Sequence, residues 1–200
     1  MLQNFHILDA RTQVPVTQIQ YLPNFLSLDE IGLIQQLVQA FEFEEPRVLG
    51  KDEETNLVFR QSKVKWILWN DDNWWLYAKI MEIVKDLNNQ IWRFDLYGIN
   101  EFLQYTEYEA GAYGRGHYDW HMDLAHEGIA SNRKLSFECI LEDQHEGGEF
   151  SVLLGPTEHK VRLNKGDCVV YPAFLMNKIY PVKSGKRSSI VSWIAGPAFK

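Results

Sequence analysis

The chain is 200 residues long, 46% hydrophobic and 24% charged, a composition that describes one folded domain with room for a sizeable core rather than a disordered segment. Its formal net charge of −7 argues against a surface built to follow nucleic-acid phosphates or anionic lipid, both of which reward a basic face. No apolar run approaches the roughly 20 residues of a membrane span, so neither nucleic acid nor membrane is expected as a partner.

The N-terminal stretch MLQNFHILDAR lacks the basic, apolar and small-residue order of a signal peptide. Cys139 and Cys168, the 2 cysteines, lie in apolar strand-like runs, and together these features predict a reducing, cytoplasmic setting. After an extended start with Pro15 and Pro23, Ser27 and Glu30 have capping-box spacing. Ile31, Ile34, Val38 and Phe41 then recur at helical intervals, which predicts a helix over about 27–42. Residues 43–62, charged and holding Pro46 and Gly50, read as a loop, with strand character over 63–69. A second helix over about 73–89 carries Leu76, Ile80, Val84 and Leu87 on one face, with residues 71–73 placed to cap it.

From Trp92 onward the pattern changes to short β-rich runs separated by Gly, Pro and Asp: 94–108, 117–123, 134–142, 148–154, 158–163, 167–172, 175–182 and 188–195. Helices first and strands afterwards favour an α+β, mainly β fold. A jelly roll or other two-sheet barrel with the N-terminal helices packed on one sheet is expected. No repeat or linker divides the chain, so residues 1–200 are read as a single domain. The many aromatic residues belong to the core first and to a pocket lining second.

The segment GHYDWHMDLAH, residues 116–126, gathers histidine and aspartate as no other part of the chain does. An imidazole and a carboxylate two residues apart on a strand project to the same side and, with a slight bend, reach one ion. The spacing occurs twice, in His117-Tyr118-Asp119 and in His121-Met122-Asp123, and alternation puts all four residues on one face. Four residues of strand span roughly 13 Å, so one pair is expected outside a mononuclear site. On the triplet alone, a buried polar pair stabilising a turn is the commoner meaning.

The surrounding motifs resemble those of the iron(II)- and 2-oxoglutarate-dependent oxygenases, in their prolyl 4-hydroxylase-like branch, over roughly residues 20–198. Tyr108-Glu109-Ala110-Gly111 followed by Tyr118-Asp119-Trp120-His121-Met122-Asp123 looks like that family's Tyr-x-x-Gly stretch leading to its iron-binding His-x-Asp. Arg133-Lys134-Leu135-Ser136 and Gly147-Gly148-Glu149-Phe150 look like the two strands that follow. Gly166-Asp167 running to Tyr171-Pro172, and then Pro181-Val182, Gly185, Arg187 and Trp193, match the closing pattern in order and spacing.

The resemblance implies a double-stranded β-helix, Fe(II), 2-oxoglutarate as cosubstrate and ascorbate as an auxiliary reductant. It also implies hydroxylation of an unactivated C–H bond in a peptidyl side chain or small amino-acid-like molecule. It selects His121 and Asp123 as metal ligands over His117 and Asp119. Two histidines and one carboxylate on one face of iron leave three positions open for the cosubstrate and dioxygen. Arg187 is the candidate for the cosubstrate's far carboxylate, because a guanidinium makes two parallel charged hydrogen bonds. A surface cation beside Lys183 and Lys186 is the bland alternative. Tyr108 is the candidate hydroxyl donor, with Tyr105 and Tyr113 as rivals.

One position departs from the family. Where its second iron histidine is expected, this chain has Asn177, in Asn177-Lys178-Ile179-Tyr180-Pro181-Val182. An amide oxygen is a harder and weaker donor to iron(II) than imidazole. Asn177 is then a working ligand, the mark of a lost activity with the pocket kept, or a substitution introduced into the sequence. His126, His145 and His159 rank below it as third ligands. A non-catalytic binding module that retains the pocket is the rival from another class, and a metal-dependent cupin enzyme that does not use 2-oxoglutarate is a third possibility.

Overall fold

The computed structural model describes residues 17–44, 59–111, 114–125 and 128–198, with backbone alone at 114–115. Pro15, Pro46, Gly50, Tyr113 and His126 lie outside the described residues. In chain order the elements are β1 (Gln20–Leu22), α1 (Leu28–Leu37), β2 (Arg60–Gln61), β3 (Lys63–Ile67), α2 (Trp74–Gln90), β4 (Gly98–Ile99), β5 (Leu103–Gly111) and β6 (Gly114–Arg115). There follow β7 (His117–His121), β8 (Arg133–Glu142), β9 (His145–Gly147), β10 (Phe150–Leu154), β11 (Thr157–Val161), β12 (Cys168–Pro172), β13 (Asn177–Ile179) and β14 (Val182–Ala195).

The first helix starts where its capping box places it. The Glu30 amide donates to Ser27 Oγ and the Ser27 amide donates back to the Glu30 carboxylate, satisfying two amides that the first turn leaves open. It ends earlier than the periodicity suggests. After Leu37 the chain tightens into a 3-10 turn over Val38–Ala40, and Phe41 is already extended. The second helix begins after Asn73, which does not cap it. The Asn73 side chain instead accepts from the Asn70 amide and donates to the Leu68 carbonyl, holding the turn before the helix.

Two antiparallel sheets carry the rest. Their orders are β1-β12-β8-β14-β5-β3, with the short β4, β6 and β9 on its flanks, and β11-β10-β13-β7-β2. The chain crosses repeatedly between sheets: β5 lies in the first, β7 in the second, β8 in the first, β10 and β11 in the second, β12 in the first, β13 in the second and β14 in the first. This alternation winds the jelly roll expected from the strand pattern. The run 175–182 splits, because only Asn177–Ile179 pairs with β7 and β10 while Val182 opens the 14-residue β14.

Period-two alternation sorts the first sheet into two faces. Leu103 and Tyr105, Leu135, Phe137, Cys139 and Leu141, Cys168 and Val170, and Ile190 and Ile194 pack with Ile31, Ile34, Leu76, Ile80 and Val84 of the helices. The opposite face turns toward the second sheet, where Tyr108, Val169 and Tyr171 meet Phe150, Val152 and Ile179. Cys139 and Cys168 are buried free thiols on the helix side. No helix among the described residues is long and apolar enough to cross a membrane.

Candidate active site

The inner face holds the site, and a β-bulge decides which residues reach it. On β13 and β7, Asn177 stands opposite His121 and Ile179 opposite Tyr118, so two steps on one strand face three on the other. The extra residue reverses the alternation. Tyr118 and His121 therefore share a face, with ring centroids 3.4 Å apart and planes 15° from parallel. Asp119 turns outward, where Lys178 Nζ donates to it at 2.8 Å. The expectation that His117, Asp119, His121 and Asp123 occupy one face is thus corrected: the bulge separates the two His-x-Asp pairs, and His117 lies beyond it, opposite Gln61.

The His121-Met122-Asp123 pair is ordered from both sides. His121 Nδ1 lies 2.7 Å from the Asp119 carbonyl oxygen. A carbonyl cannot donate, so Nδ1 carries a proton, and it is Nε2 that is left to offer a lone pair to a metal. That Nε2 stands 3.7 Å from Asp123 Oδ1. The other oxygen, Oδ2, accepts from Ser136 Oγ at 2.7 Å and from the Tyr171 hydroxyl at 3.1 Å. Burial by itself would raise the Asp123 carboxyl; the His121 imidazole, the Arg133 charge and the Ser136 hydroxyl outweigh it and hold the group well below the usual carboxylate range. Arg133 also donates to the Asp123 carbonyl and lies over the Trp193 ring, its other nitrogens engaged by Glu101. Burial, reinforced by the charges of Asp123 and Glu138, pushes Tyr171 far up, so its hydroxyl stays a donor.

These groups suit a divalent cation: an ionised carboxylate oxygen and an imidazole lone pair face each other, and each is fixed by hydrogen bonds to its remaining atoms. The third place is less well provided. Asn177 is buried, and its Nδ2 donates to the carbonyls of His121 at 3.3 Å and Leu175 at 3.5 Å. Only Oδ1 is then left to ligate. Among the described residues no set of three His, Cys, Asp or Glu side chains surrounds one point. His145 bonds the Gly147 carbonyl and sits against Gly148, while His159 pairs with Val152 on the edge strand β11.

At the other end of the inner face, Arg187 on β14 stands across from Tyr108 on β5. Arg187 is 2% exposed, so the surface alternative fails. It is also already engaged. Nη1 donates to Glu138 Oε1 at 2.9 Å and to Ser189 Oγ at 3.4 Å, and Ser189 Oγ donates to the same Oε1 at 2.8 Å. The Gly-Gly turn serves this packing, since a Cβ on Gly148, whose φ is +68°, would come within 3.2 Å of Arg187 Cδ. Tyr108 lies beside the guanidinium, 5.7 Å from ring centroid to Cζ. Burial pushes its hydroxyl up to about 12 despite the nearby charges of Arg60 and Arg187, which leaves it a protonated donor. Tyr105 faces the helices and bonds Glu107, so of the candidates Tyr105 and Tyr108 it is Tyr108 that turns inward.

Several residues at the site escaped the sequence reading. Ser136 and Tyr171 are polar members of apolar strands, and an inward phase computed from β8 and β12 would have found both. Glu138, an acid in the middle of Leu135-Ser136-Phe137-Glu138-Cys139-Ile140-Leu141, signalled that a buried strand needed a countercharge. Arg60, buried with its guanidinium 4.5 Å over the Tyr118 ring, fell inside the segment read as loop and gave no signal.

Residues 103–195 match the 2OG-Fe(II) oxygenase superfamily. A PKHD-type hydroxylase of Stenotrophomonas maltophilia is 33% identical over 87 residues, which are 40% of this chain and 39% of that protein. The chain spans about 40% of the length of the curated relatives it matches in this way. Among solved structures, a Pseudomonas putida prolyl-4-hydroxylase superposes with a TM-score of 0.71 at 18% identity, covering 91% of this chain and 94% of that one. A Trichoplax adhaerens prolyl hydroxylase in complex with a peptide fragment of hypoxia inducible factor gives 0.72 at 14%, covering 89% and 83%. With a double-stranded β-helix that presents His121, Asp123 and Arg187 on its inner face, the chain shares the fold of these prolyl hydroxylases and is similar over residues 103–195 to the 2OG-Fe(II) oxygenase superfamily.

Proposed function

We propose that the chain is an iron(II)-dependent oxygenase that couples decarboxylation of a 2-oxo acid, 2-oxoglutarate in the family at large, to hydroxylation of a peptidyl side chain or small amino-acid-like substrate. One observation carries this: His121 Nε2 and Asp123 Oδ1 face each other at 3.7 Å, each side chain held by hydrogen bonds to its remaining polar atoms. Iron, when bound, supplies the activation of dioxygen and of the 2-oxo acid. His121 and Asp123 would hold it, with Asn177 Oδ1 as the third protein donor.

Ser136 and Tyr171 keep the Asp123 carboxylate from rotating and save its Oδ1 for the metal. Arg187 and Tyr108 mark the end where the tail of the 2-oxo acid lies. A peptide substrate is supported by the peptide complex of the Trichoplax neighbour. A reducing cytoplasm, with ascorbate as auxiliary reductant, is the setting that keeps iron ferrous and the thiols of Cys139 and Cys168 free.

The test is aerobic carbon dioxide release from purified protein given Fe(II) and millimolar 2-oxoglutarate or, in parallel, 2-oxobutyrate, with Asp123→Ala as control. Release above the control from either 2-oxo acid supports the proposal; release equal to the control from both, with candidate peptides present, rules it out. A second reading, a binding module without oxygen chemistry, draws on Asn177 and on the Glu138–Arg187 pair. It requires purified protein without stoichiometric iron or manganese and a melting temperature indifferent to both.

A further inference from the structure

The Arg187 end of the pocket is charge-balanced before any small molecule arrives. Strand alternation brings Tyr108 of β5, Glu138 of β8 and Arg187 and Ser189 of β14 onto one inner face. Arg187 and Glu138 are 2% and 4% exposed and joined at 2.9 Å, with Ser189 bonded to the shared carboxylate oxygen. Gly148 lies against the arginine stem, where any Cβ would come within 3.2 Å of Arg187 Cδ. A guanidinium carries one positive charge, and here Glu138 on a neighbouring strand balances it through a hydrogen bond from Nη1. A second carboxylate brought to the same place would meet the Glu138 charge at short range in a buried site, where like charges repel far more strongly than in water. An uncharged tail meets no such repulsion. It also finds the Tyr108 hydroxyl, which makes no hydrogen bond among the described residues.

We propose that Glu138 sets the cosubstrate specificity of this pocket, selecting a 2-oxo acid with an uncharged tail over 2-oxoglutarate by occupying Arg187 itself. The inference rests on the metal site proposed above, which would chelate the 2-oxo acid headgroup common to both compounds. Glu138 acts through Arg187 and is a specificity-determining residue rather than a catalytic one.

The experiment is a calorimetric titration on the full chain. Mn(II) is added first, as a redox-silent replacement for iron, followed by 2-oxobutyrate or 2-oxoglutarate. Wild-type protein is expected to bind Mn(II), and to bind 2-oxobutyrate at least as tightly as 2-oxoglutarate. Glu138→Gln, which keeps the shape and removes the charge, should tighten 2-oxoglutarate on the order of tenfold or more and leave 2-oxobutyrate within about threefold. The wild-type comparison stands even if the variant does not fold. Mn(II) binding with a clear wild-type preference for 2-oxoglutarate overturns the specificity proposal alone. Absence of Mn(II) binding overturns the metal site and the specificity proposal together.

Discussion

The two ends of the inner face solve opposite electrostatic problems. At one, Asp123 and His121 are held by Ser136, Tyr171 and the Asp119 carbonyl so that a carboxylate oxygen and the imidazole Nε2 face each other at 3.7 Å. At the other, Arg187 and Glu138 cancel each other. The first arrangement leaves two metal-ligating atoms facing each other, whereas the second pairs a cation with an anion as it folds. An unfinished polar cluster is therefore the better guide to where a ligand goes. A buried arginine in a pocket is a guide only after its partner has been identified.

The comparison breaks most sharply at the metal end. Asp123→Ala removes the only carboxylate facing His121 Nε2 among the described residues, and should weaken Mn(II) binding by about 100-fold or more in calorimetry, with oxygenase turnover falling to background. At the other end the effect is on stability. Arg187→Met leaves Glu138 buried without its cation and should cost about 3–5 kcal/mol in denaturant unfolding, while Arg187→Met combined with Glu138→Leu should recover most of that loss. If the double variant is no better than the single one, the two residues are not the self-contained pair described here.

Smaller effects sharpen the same contrast. Ser136→Ala frees Asp123 Oδ2 from its shorter hydrogen bond and should lower Mn(II) affinity by about tenfold without moving the stability of metal-free protein by more than about 1–2 kcal/mol. Away from both ends, Asp167 joins β1 to β12. Burial raises its carboxyl, and hydrogen bonds from the Tyr21 hydroxyl, the Asn24 amide and Asn164 more than reverse that, leaving it below its ordinary value of 3.8. A carboxyl depressed by folding contributes stability that is fully present above its unfolded value and is lost as pH falls through the folded one. Acid titration of Asp167→Asn should therefore show a shallower loss of stability below about pH 4 than wild type.

The fold was legible because it rests on signals with a fixed period. Ile31, Ile34, Ile80 and Val84 announced one helical face each, and the paired residues of β8 and β12 alternate as two buried faces require. His121, Asp123, Asn177 and Arg187 were legible through motif order. The bulge between Tyr118 and His121 was not. A one-residue insertion in a strand leaves no mark on composition, yet it decided that Asp119 points outward and that Tyr118 lies against the imidazole. The partner of Arg187 was equally hidden, because Glu138 lies 49 residues away in sequence and only the adjacency of β8 and β14 brings them together. Local periodicity reports which way a side chain faces; what it faces depends on strand pairing.

The central claim, that His121 and Asp123 form a metal site, is tested most directly by Mn(II) electron paramagnetic resonance titration of wild-type, Asp123→Ala and Asn177→His proteins. The account predicts one bound Mn(II) per wild-type chain, none in Asp123→Ala and tighter binding in Asn177→His, where an imidazole replaces the amide. Equal Mn(II) occupancy in wild type and Asp123→Ala, or no effect of placing an imidazole at residue 177, would contradict it.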